Sequence, residues 1–80
     1  MTQKRKSKEE IFLGKLLELA KKRGGPEEEV DRYAVGNEVG ENTRTVDNMV
    51  QVLTKNNFLK KGEDGLIRLT PLGVRLAEEE

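Results

Sequence analysis

A single glycine, Gly40, is the feature that most constrains the fold, because it separates two short helix-forming segments. A glycine that follows a helical apolar residue, here Val39, can end the helix in the left-handed region without the steric penalty of a Cβ atom. Two residues later, Asn42 has a side chain suited to capping the start of another helix. The spacing therefore predicts two helices joined by a tight turn.

The segment after this turn is predicted to be an amphipathic helix from about residue 43 to residue 55. Apolar residues recur at positions i, i+3, i+4 and i+7 and so share one face, formed by Val46, Met49, Val50 and Leu53. The opposite face is polar and carries Thr43, Arg44, Asp47, Asn48 and Gln51. Asn56 and Asn57 then end the helix, since asparagine tolerates the left-handed conformation.

An earlier helix is predicted to start after Ser7. Ser7 and Glu10 have the spacing at which each side chain can bond the backbone amide of the other. The Gly-Gly-Pro sequence at residues 24–26 ends this helix. Ile11 lies off its broad apolar face, which is formed by Phe12, Leu13, Leu16, Leu17, Leu19 and Ala20. The first and third helices are predicted to pack together through Leu16, Val46, Val50 and Leu53.

The start of the middle helix stays open between two positions. Pro26 followed by three glutamates at residues 27–29 suits the first turn of a helix, and Asp31 is a rival N-cap. The acidic triplet is interpreted as a solvated turn and not as a metal site. Gly36 costs roughly 1 kcal/mol relative to alanine inside a helix, which predicts close approach of the next helix. The apolar side of the middle helix is predicted to consist of Val30, Tyr33, Ala34, Val35 and Val39.

The last part of the chain is predicted to form a β-hairpin and a short helix. Residues 58–61 and 66–69 have the composition of strands, and Asp64-Gly65 between them is a hairpin turn signal. Thr70 as N-cap and Pro71 in the first helical position then open the last helix. Ile67 and Leu69 are expected on one side of the return strand. The inner side of the last helix is expected to contain Leu72, Val74, Leu76 and Ala77.

The composition excludes several classes of function. The 80 residues include no cysteine and no histidine, so disulfides, thiolate chemistry, zinc sites and the usual general base are absent. No pair of carboxylates has a recognisable catalytic spacing, and we therefore expect neither an enzyme nor a bound cofactor. No apolar run reaches the roughly 18 residues of a membrane span, and no signal-peptide pattern is present. We expect a cytoplasmic protein without a membrane partner or a small-molecule ligand.

Charge is unevenly distributed, although the net charge is zero. The net charges are +5, −5, +3 and −3 for residues 1–25, 26–41, 42–62 and 63–80. The first positive block contains a basic segment at residues 1–6, which we interpret as a flexible arm. This arm is either a solvated chain end or a segment that touches phosphates. The second positive block contains the predicted polar helix face and the strand after it.

Three segments resemble parts of winged helix-turn-helix domains. VGNEVGENTRTV at residues 35–46 is similar to the turn and the start of the recognition helix in many transcription regulators. LTKNNFL at residues 53–59 is similar to the passage into the wing, and LTPLG at residues 69–73 resembles the segment after the wing in regulators of the multiple-antibiotic-resistance type. The resemblance implies an α+β, mostly α-helical domain at residues 7–80. It would have a three-helix core, a two-stranded β-hairpin wing and a short C-terminal helix.

The resemblance also implies a DNA-binding transcriptional regulator that recognises double-stranded DNA. A recognition helix at residues 43–55 would enter the major groove, and a wing at residues 58–69 would lie on the backbone. Arginine can bind guanine, asparagine or glutamine can bind adenine, and aspartate can accept a hydrogen bond from cytosine. The residues implied to face the groove are Thr43, Arg44, Asp47, Asn48 and Gln51. Those implied to approach phosphates are Lys60, Lys61 and Arg68.

A homodimer is a further expectation, because Ile11 lies off the apolar face of its helix and the last helix is short. An alternative to DNA binding is a winged helix that acts as a protein-interaction adaptor in a transcription or replication complex. Its basis is the acidic pair Glu63 and Asp64 at the wing turn together with the zero net charge. The polar face of the third helix is also compatible with an ordinary solvated surface.

Overall fold

Four helices and three short strands form the fold in the computed structural model, which describes residues 7–79. In chain order the elements are α1 (Lys8–Arg23), β1 (Val30–Asp31), α2 (Arg32–Val39), α3 (Thr43–Lys55), β2 (Leu59–Lys61), β3 (Leu66–Leu69) and α4 (Pro71–Glu78). The predicted class, α+β and mostly helical, is confirmed. The basic arm predicted at residues 1–6 lies outside the described residues. Within residues 7–79, none of the helices has the length and apolar character needed to cross a membrane.

Local capping sets the helix boundaries, and most of them agree with the sequence-based prediction. The Ser7 hydroxyl accepts from the Glu10 amide at 3.1 Å, and the Ser7 amide donates to the Glu10 carboxylate at 2.9 Å, which confirms the predicted capping box. Gly40 adopts the left-handed conformation with φ 76°. The side chain of Asn42 caps α3 by accepting from the Thr45 amide at 2.8 Å. α3 therefore spans the predicted residues.

The start of α2 lies at the later of the two predicted positions. The Asp31 carboxylate accepts from the Tyr33 amide at 3.1 Å, and the helix begins at Arg32. Residues 26–29 form a turn and a loop, so the prediction that Pro26 could open the helix is wrong. The physical reason is that the chain first runs alongside the hairpin, where Val30 pairs with Ile67.

The sheet has three antiparallel strands in the order β1-β3-β2, one more than the predicted hairpin. Val30 of β1 lies opposite Ile67 of β3, and Leu59 of β2 lies opposite Leu69. Residues directly opposite each other in an antiparallel sheet point to the same side, and all four side chains are buried. The two-stranded prediction was therefore incomplete, since β3 is the central strand of the sheet.

The core lies between the buried face of the sheet and the inner faces of the helices. The residues predicted to pack together all belong to one buried cluster: Leu16, Val46, Val50 and Leu53. Two other predictions of burial are wrong, because Tyr33 is 37% exposed and Leu72 is 47% exposed. In α4 the residues that are buried are Gly73 and Ala77, so this helix is rotated relative to the predicted orientation.

Glycines allow α2 and α4 to pack closely on their neighbours. A Cβ atom at Gly36 would overlap the Cγ2 atom of Val46, which is buried in α3. The close approach predicted from this glycine is therefore confirmed. A Cβ atom at Gly73 would overlap the carbonyl oxygen of Phe58, so α4 lies directly against the segment that leads into β2.

Candidate nucleic-acid interface

The outer surface of α3 is polar and exposed along the helix. The five residues predicted on this side are all exposed, and we call them the polar face of α3: Thr43, Arg44, Asp47, Asn48 and Gln51. The opposite side of the helix is buried through Val46, Met49, Val50 and Leu53. The prediction of an exposed polar face is confirmed, and contact of this face with DNA remains a prediction.

The turn between α2 and α3 helps to fix the orientation of the polar face relative to α2. The Glu41 amide donates to the Gly36 carbonyl at 2.9 Å, and the Gly40 amide donates to the Asn37 carbonyl at 3.3 Å. These bonds satisfy carbonyl groups at the end of α2. Together with the packing of Gly36 on Val46, they restrict rotation of α3 about its axis. The direction of the polar face is thus set by tertiary packing as well as by helical periodicity.

Asp47, in the middle of the polar face, is bound by two side chains of α2. The Tyr33 hydroxyl donates a hydrogen bond to Asp47 Oδ1 at 2.8 Å. A terminal nitrogen of Arg32 lies 3.4 Å from the same oxygen and forms an ion pair with it. These partners are 14 and 15 residues away in the sequence, so no local pattern connects them with Asp47. The negative charge that the sequence placed on this face is therefore compensated by Arg32.

Arg32 also holds the turn of the β2–β3 hairpin. Its Nε atom donates to the carbonyl oxygen of Gly65 at 3.1 Å, and its backbone amide donates to the same oxygen at 3.2 Å. Only 14% of the Arg32 side chain is exposed, so its charge is held between the hairpin and the helix. Arg32 thus connects the hairpin turn with the middle of α3. We call the group formed by Arg32, Tyr33, Asp47 and Gly65 the α2 clamp.

The pKa of Tyr33 reflects its position in the α2 clamp. The hydrogen bond to Asp47 raises the pKa of the Tyr33 hydroxyl above its ordinary value of 10.0, since ionisation would break that bond. Burial and the negative charges of Asp47 and Asp31 act in the same direction, while the positive charge of Arg32 opposes them. The hydroxyl therefore remains protonated and continues to donate at neutral pH.

The hairpin turn has the predicted geometry. Asp64 and Gly65 both adopt left-handed backbone conformations, with φ 53° and 81°. The Leu66 amide donates to the Glu63 carbonyl at 3.0 Å and closes the turn, and the Gly62 amide donates to the Leu66 carbonyl at 2.7 Å beside it. Glu63 and Asp64 are exposed, which leaves two negative charges at the end of the hairpin.

The three basic residues predicted on the hairpin are divided between two surfaces. Lys60 lies opposite Arg68 on the outer side of the sheet, whereas Lys61 lies opposite the buried Ile67 and therefore on the other side. Lys61 lines a shallow groove of about 490 Å³ with four residues of α3: Gln51, Val52, Thr54 and Lys55. Lys60 and Arg68 line a separate cleft of about 290 Å³ that also contains Glu27. Of these three residues, Lys61 is the one that lies beside the polar face of α3.

Three residues of this groove were not assigned to a site from the sequence: Val52, Thr54 and Lys55. Val52 is 48% exposed. It lines the groove together with Lys55, which is also on α3, and with Lys61, which is on β2. The only available signal was that Val52 and Lys55 each lie four residues after a residue of the polar face, Asn48 and Gln51 respectively, and therefore next to that face along the helix. The groove therefore combines an apolar side chain with two positive charges.

Within residues 7–79, no group of three or more potential metal ligands comes together. No protein-family model matches the chain, and no curated protein matches it.

Proposed function

We propose that the protein is a DNA-binding transcriptional regulator with a winged helix-turn-helix fold, in which α3 enters the major groove. The observation that supports this most directly is the polar face of α3, which is exposed while the opposite side of the helix is buried. The order of the elements supports the fold, because two helices joined by a glycine turn are followed by a hairpin and a short helix.

The dimensions of α3 suit this role. Its 13 residues span about 20 Å, and a helix about 10–12 Å in diameter fits a major groove about 12 Å wide. Arg44 lies in the first turn, where its guanidinium can bind the O6 and N7 atoms of a guanine. Asn48 and Gln51 follow at intervals of about one turn, and each can bind an adenine. The polar face can therefore read several neighbouring base pairs.

Phosphate contacts come from two directions in this proposal. Lys55 and Lys61 lie beside the carboxyl-terminal half of α3 and would meet phosphates at the edge of the groove. Lys60 and Arg68, on the outer side of the sheet, would attract the DNA backbone at longer range. The acidic hairpin turn reduces this attraction, and we therefore expect moderate affinity.

The second candidate function is an adaptor that binds another protein through the same side of α3. The observation that favours it is the exposed Val52 between Lys55 and Lys61, since an apolar centre with charged neighbours is common in protein interfaces. The zero net charge and the acidic hairpin turn also fit a protein partner better than a polyanion.

Salt-dependent DNA binding separates the two functions. The purified protein would be used to select sites from random duplexes, and binding would then be measured by fluorescence anisotropy at several salt concentrations. A regulator should enrich a defined sequence, and its affinity should fall linearly with salt on a log–log plot. An adaptor should enrich no sequence and bind duplex DNA weakly at all salt concentrations, which would contradict the proposal.

A matched pair of lysine variants tests the placement of the backbone contacts. Lys61→Ala should flatten the salt slope by about one unit, because one phosphate contact is lost. Lys22→Ala removes the same charge from α1, which forms no part of the proposed surface, and should leave the slope unchanged.

A further inference from the structure

We propose that Asp47 determines specificity by positioning α3 against the hairpin, and that it does not read a base. This inference rests on the proposed DNA-binding function. The resemblance to winged helix-turn-helix domains implied that Asp47 faces the groove, where an aspartate can accept a hydrogen bond from cytosine. In the structure its Oδ1 atom instead accepts from Tyr33 and pairs with Arg32, both within its own chain.

The contacts of the α2 clamp form a continuous connection from α3 to the hairpin turn. Asp47 bonds Arg32 through one terminal nitrogen, and Arg32 bonds Gly65 through Nε and through its backbone amide. Because the Arg32 side chain is largely covered, it cannot turn toward a phosphate without breaking these bonds. Arg32 therefore acts between two parts of the fold and leaves direct DNA contacts to other residues.

The α2 clamp connects the middle of α3 with the turn of the β2–β3 hairpin, two places that the chain itself does not join. α3 and β2 are joined at residues 56–58, whereas Asp47 lies about 12 Å before the end of the helix, at 1.5 Å per residue. β1 pairs with β3, but this pairing attaches the hairpin to the start of α2 and not to α3. The α2 clamp therefore fixes the distance between the polar face and the hairpin turn at a second point.

This second point matters for a protein that must contact bases and phosphates at the same time. Arg44 and Asn48 would contact bases from α3, and Lys61 would contact a phosphate from the hairpin. If the spacing between these elements is set before binding, no further ordering is needed when both contacts form. A negative charge near phosphates opposes DNA binding, and its pairing with Arg32 offsets that effect.

The test compares three variants of the whole protein in site selection and in anisotropy measurements with the selected duplex and a random duplex. Asp47→Asn and Tyr33→Phe each weaken the α2 clamp. Asp64→Asn is the control, because it removes one negative charge from the hairpin turn outside the α2 clamp. Asparagine tolerates the positive φ of residue 64, so the control should retain the turn. Urea melts establish that each variant is folded.

If Asp47 positions α3, Asp47→Asn and Tyr33→Phe should each lower the ratio of selected to random affinity by about three- to tenfold, the equivalent of one hydrogen bond. The preferred base at every position of the site should stay the same. Asp64→Asn should strengthen binding to both duplexes alike, so the ratio should not change.

Other results would overturn the inference. If Asp47 reads a base, Asp47→Asn should change the preferred base pair at one position, while Tyr33→Phe should have no effect on the ratio. If Asp64→Asn lowered the ratio as much as Asp47→Asn, loss of charge alone would explain the effect. A wild-type protein that enriches no sequence would contradict the proposed function itself, and Asp47 would then have no specificity to determine.

Discussion

Replacement of Gly36 by alanine should destabilise the protein, although alanine is the better helix former. In an unhindered helix interior this change favours folding by about 1 kcal/mol. At position 36, however, the added Cβ would overlap Cγ2 of Val46. Val46 is buried and, as a β-branched residue in a helix, has essentially one favourable rotamer, so it cannot move aside easily. Overpacking of this kind costs about 1–3 kcal/mol.

We expect the overlap to outweigh the gain in helix propensity, with a net loss of up to about 2 kcal/mol. The carbonyl oxygen of Glu41 lies 3.4 Å from the same added atom and leaves little room for the backbone to shift. Urea melts analysed by linear extrapolation measure this difference, provided that the slope with denaturant is unchanged.

Gly14→Ala is the matched control, because Gly14 lies inside α1 and an added Cβ there would meet no atom within 4 Å beyond its chain neighbours and the backbone of its own helix. This variant should be stabilised by about 0.5–1 kcal/mol. The same chemical change should therefore have opposite signs at the two positions. If Gly36→Ala were stabilised as much as Gly14→Ala, the close packing of α2 on α3 would be wrong.

Three further predictions concern the core, the α2 clamp and assembly. Leu53→Ala removes a side chain that is only 3% exposed and should cost about 2–5 kcal/mol in a urea melt. Because the pKa of Tyr33 is raised, its contribution to stability should be complete below about pH 10 and lost as the pH rises through the folded-state pKa. Tyr33 is the only tyrosine, so an absorbance titration follows it directly, and Asp47→Asn should move the midpoint back toward 10.0. A homodimer through α1 and α4, where Ile11 and Leu72 are exposed, should be detected by sedimentation at high micromolar concentration.

Each of these predictions has an outcome that would contradict it. A loss below about 1 kcal/mol for Leu53→Ala would mean that α3 does not pack on the core through this residue. A Tyr33 midpoint that is the same in wild type and in Asp47→Asn would contradict the hydrogen bond between them. Sedimentation of monomer alone would exclude the dimer at that concentration.

The helix boundaries could be predicted from the sequence because capping depends on residues close together in the chain. Ser7 and Glu10 are three residues apart, as are Asn42 and Thr45, and both pairs form the expected bonds. The buried side of α3 could be predicted for a similar reason, since helical periodicity alone brings its apolar residues to one face.

The features that the sequence did not reveal depend on contacts between distant segments. A strand of two residues, such as β1, has no periodicity of its own and exists because Val30 pairs with Ile67. Asp47 acquires its partners only when α2 packs beside α3. The separation of Lys60 from Lys61 was available from strand alternation, because neighbouring residues of a strand point to opposite sides.

The exposure of Tyr33 shows that the hydroxyl of an aromatic residue can place its ring on the solvent-exposed side of a helix and not on the apolar side. Its ring was assigned to the apolar side of α2 because of its size and spacing. In the folded protein the hydroxyl reaches Asp47, and the ring remains partly in solvent. A buried tyrosine needs a partner for its hydroxyl, and here that partner lies on the surface.

The central claim is that α3 reads DNA through its polar face, and the affinity of Arg44→Ala for selected and random duplexes tests it most directly. Arg44 is the only basic residue of α3 before Lys55, so no neighbour can replace it. We predict a loss of about 1–3 kcal/mol on the selected site and little change on random DNA. If a variant that melts like the wild type kept its full affinity for the selected site, the claim would be contradicted and the adaptor function would be favoured.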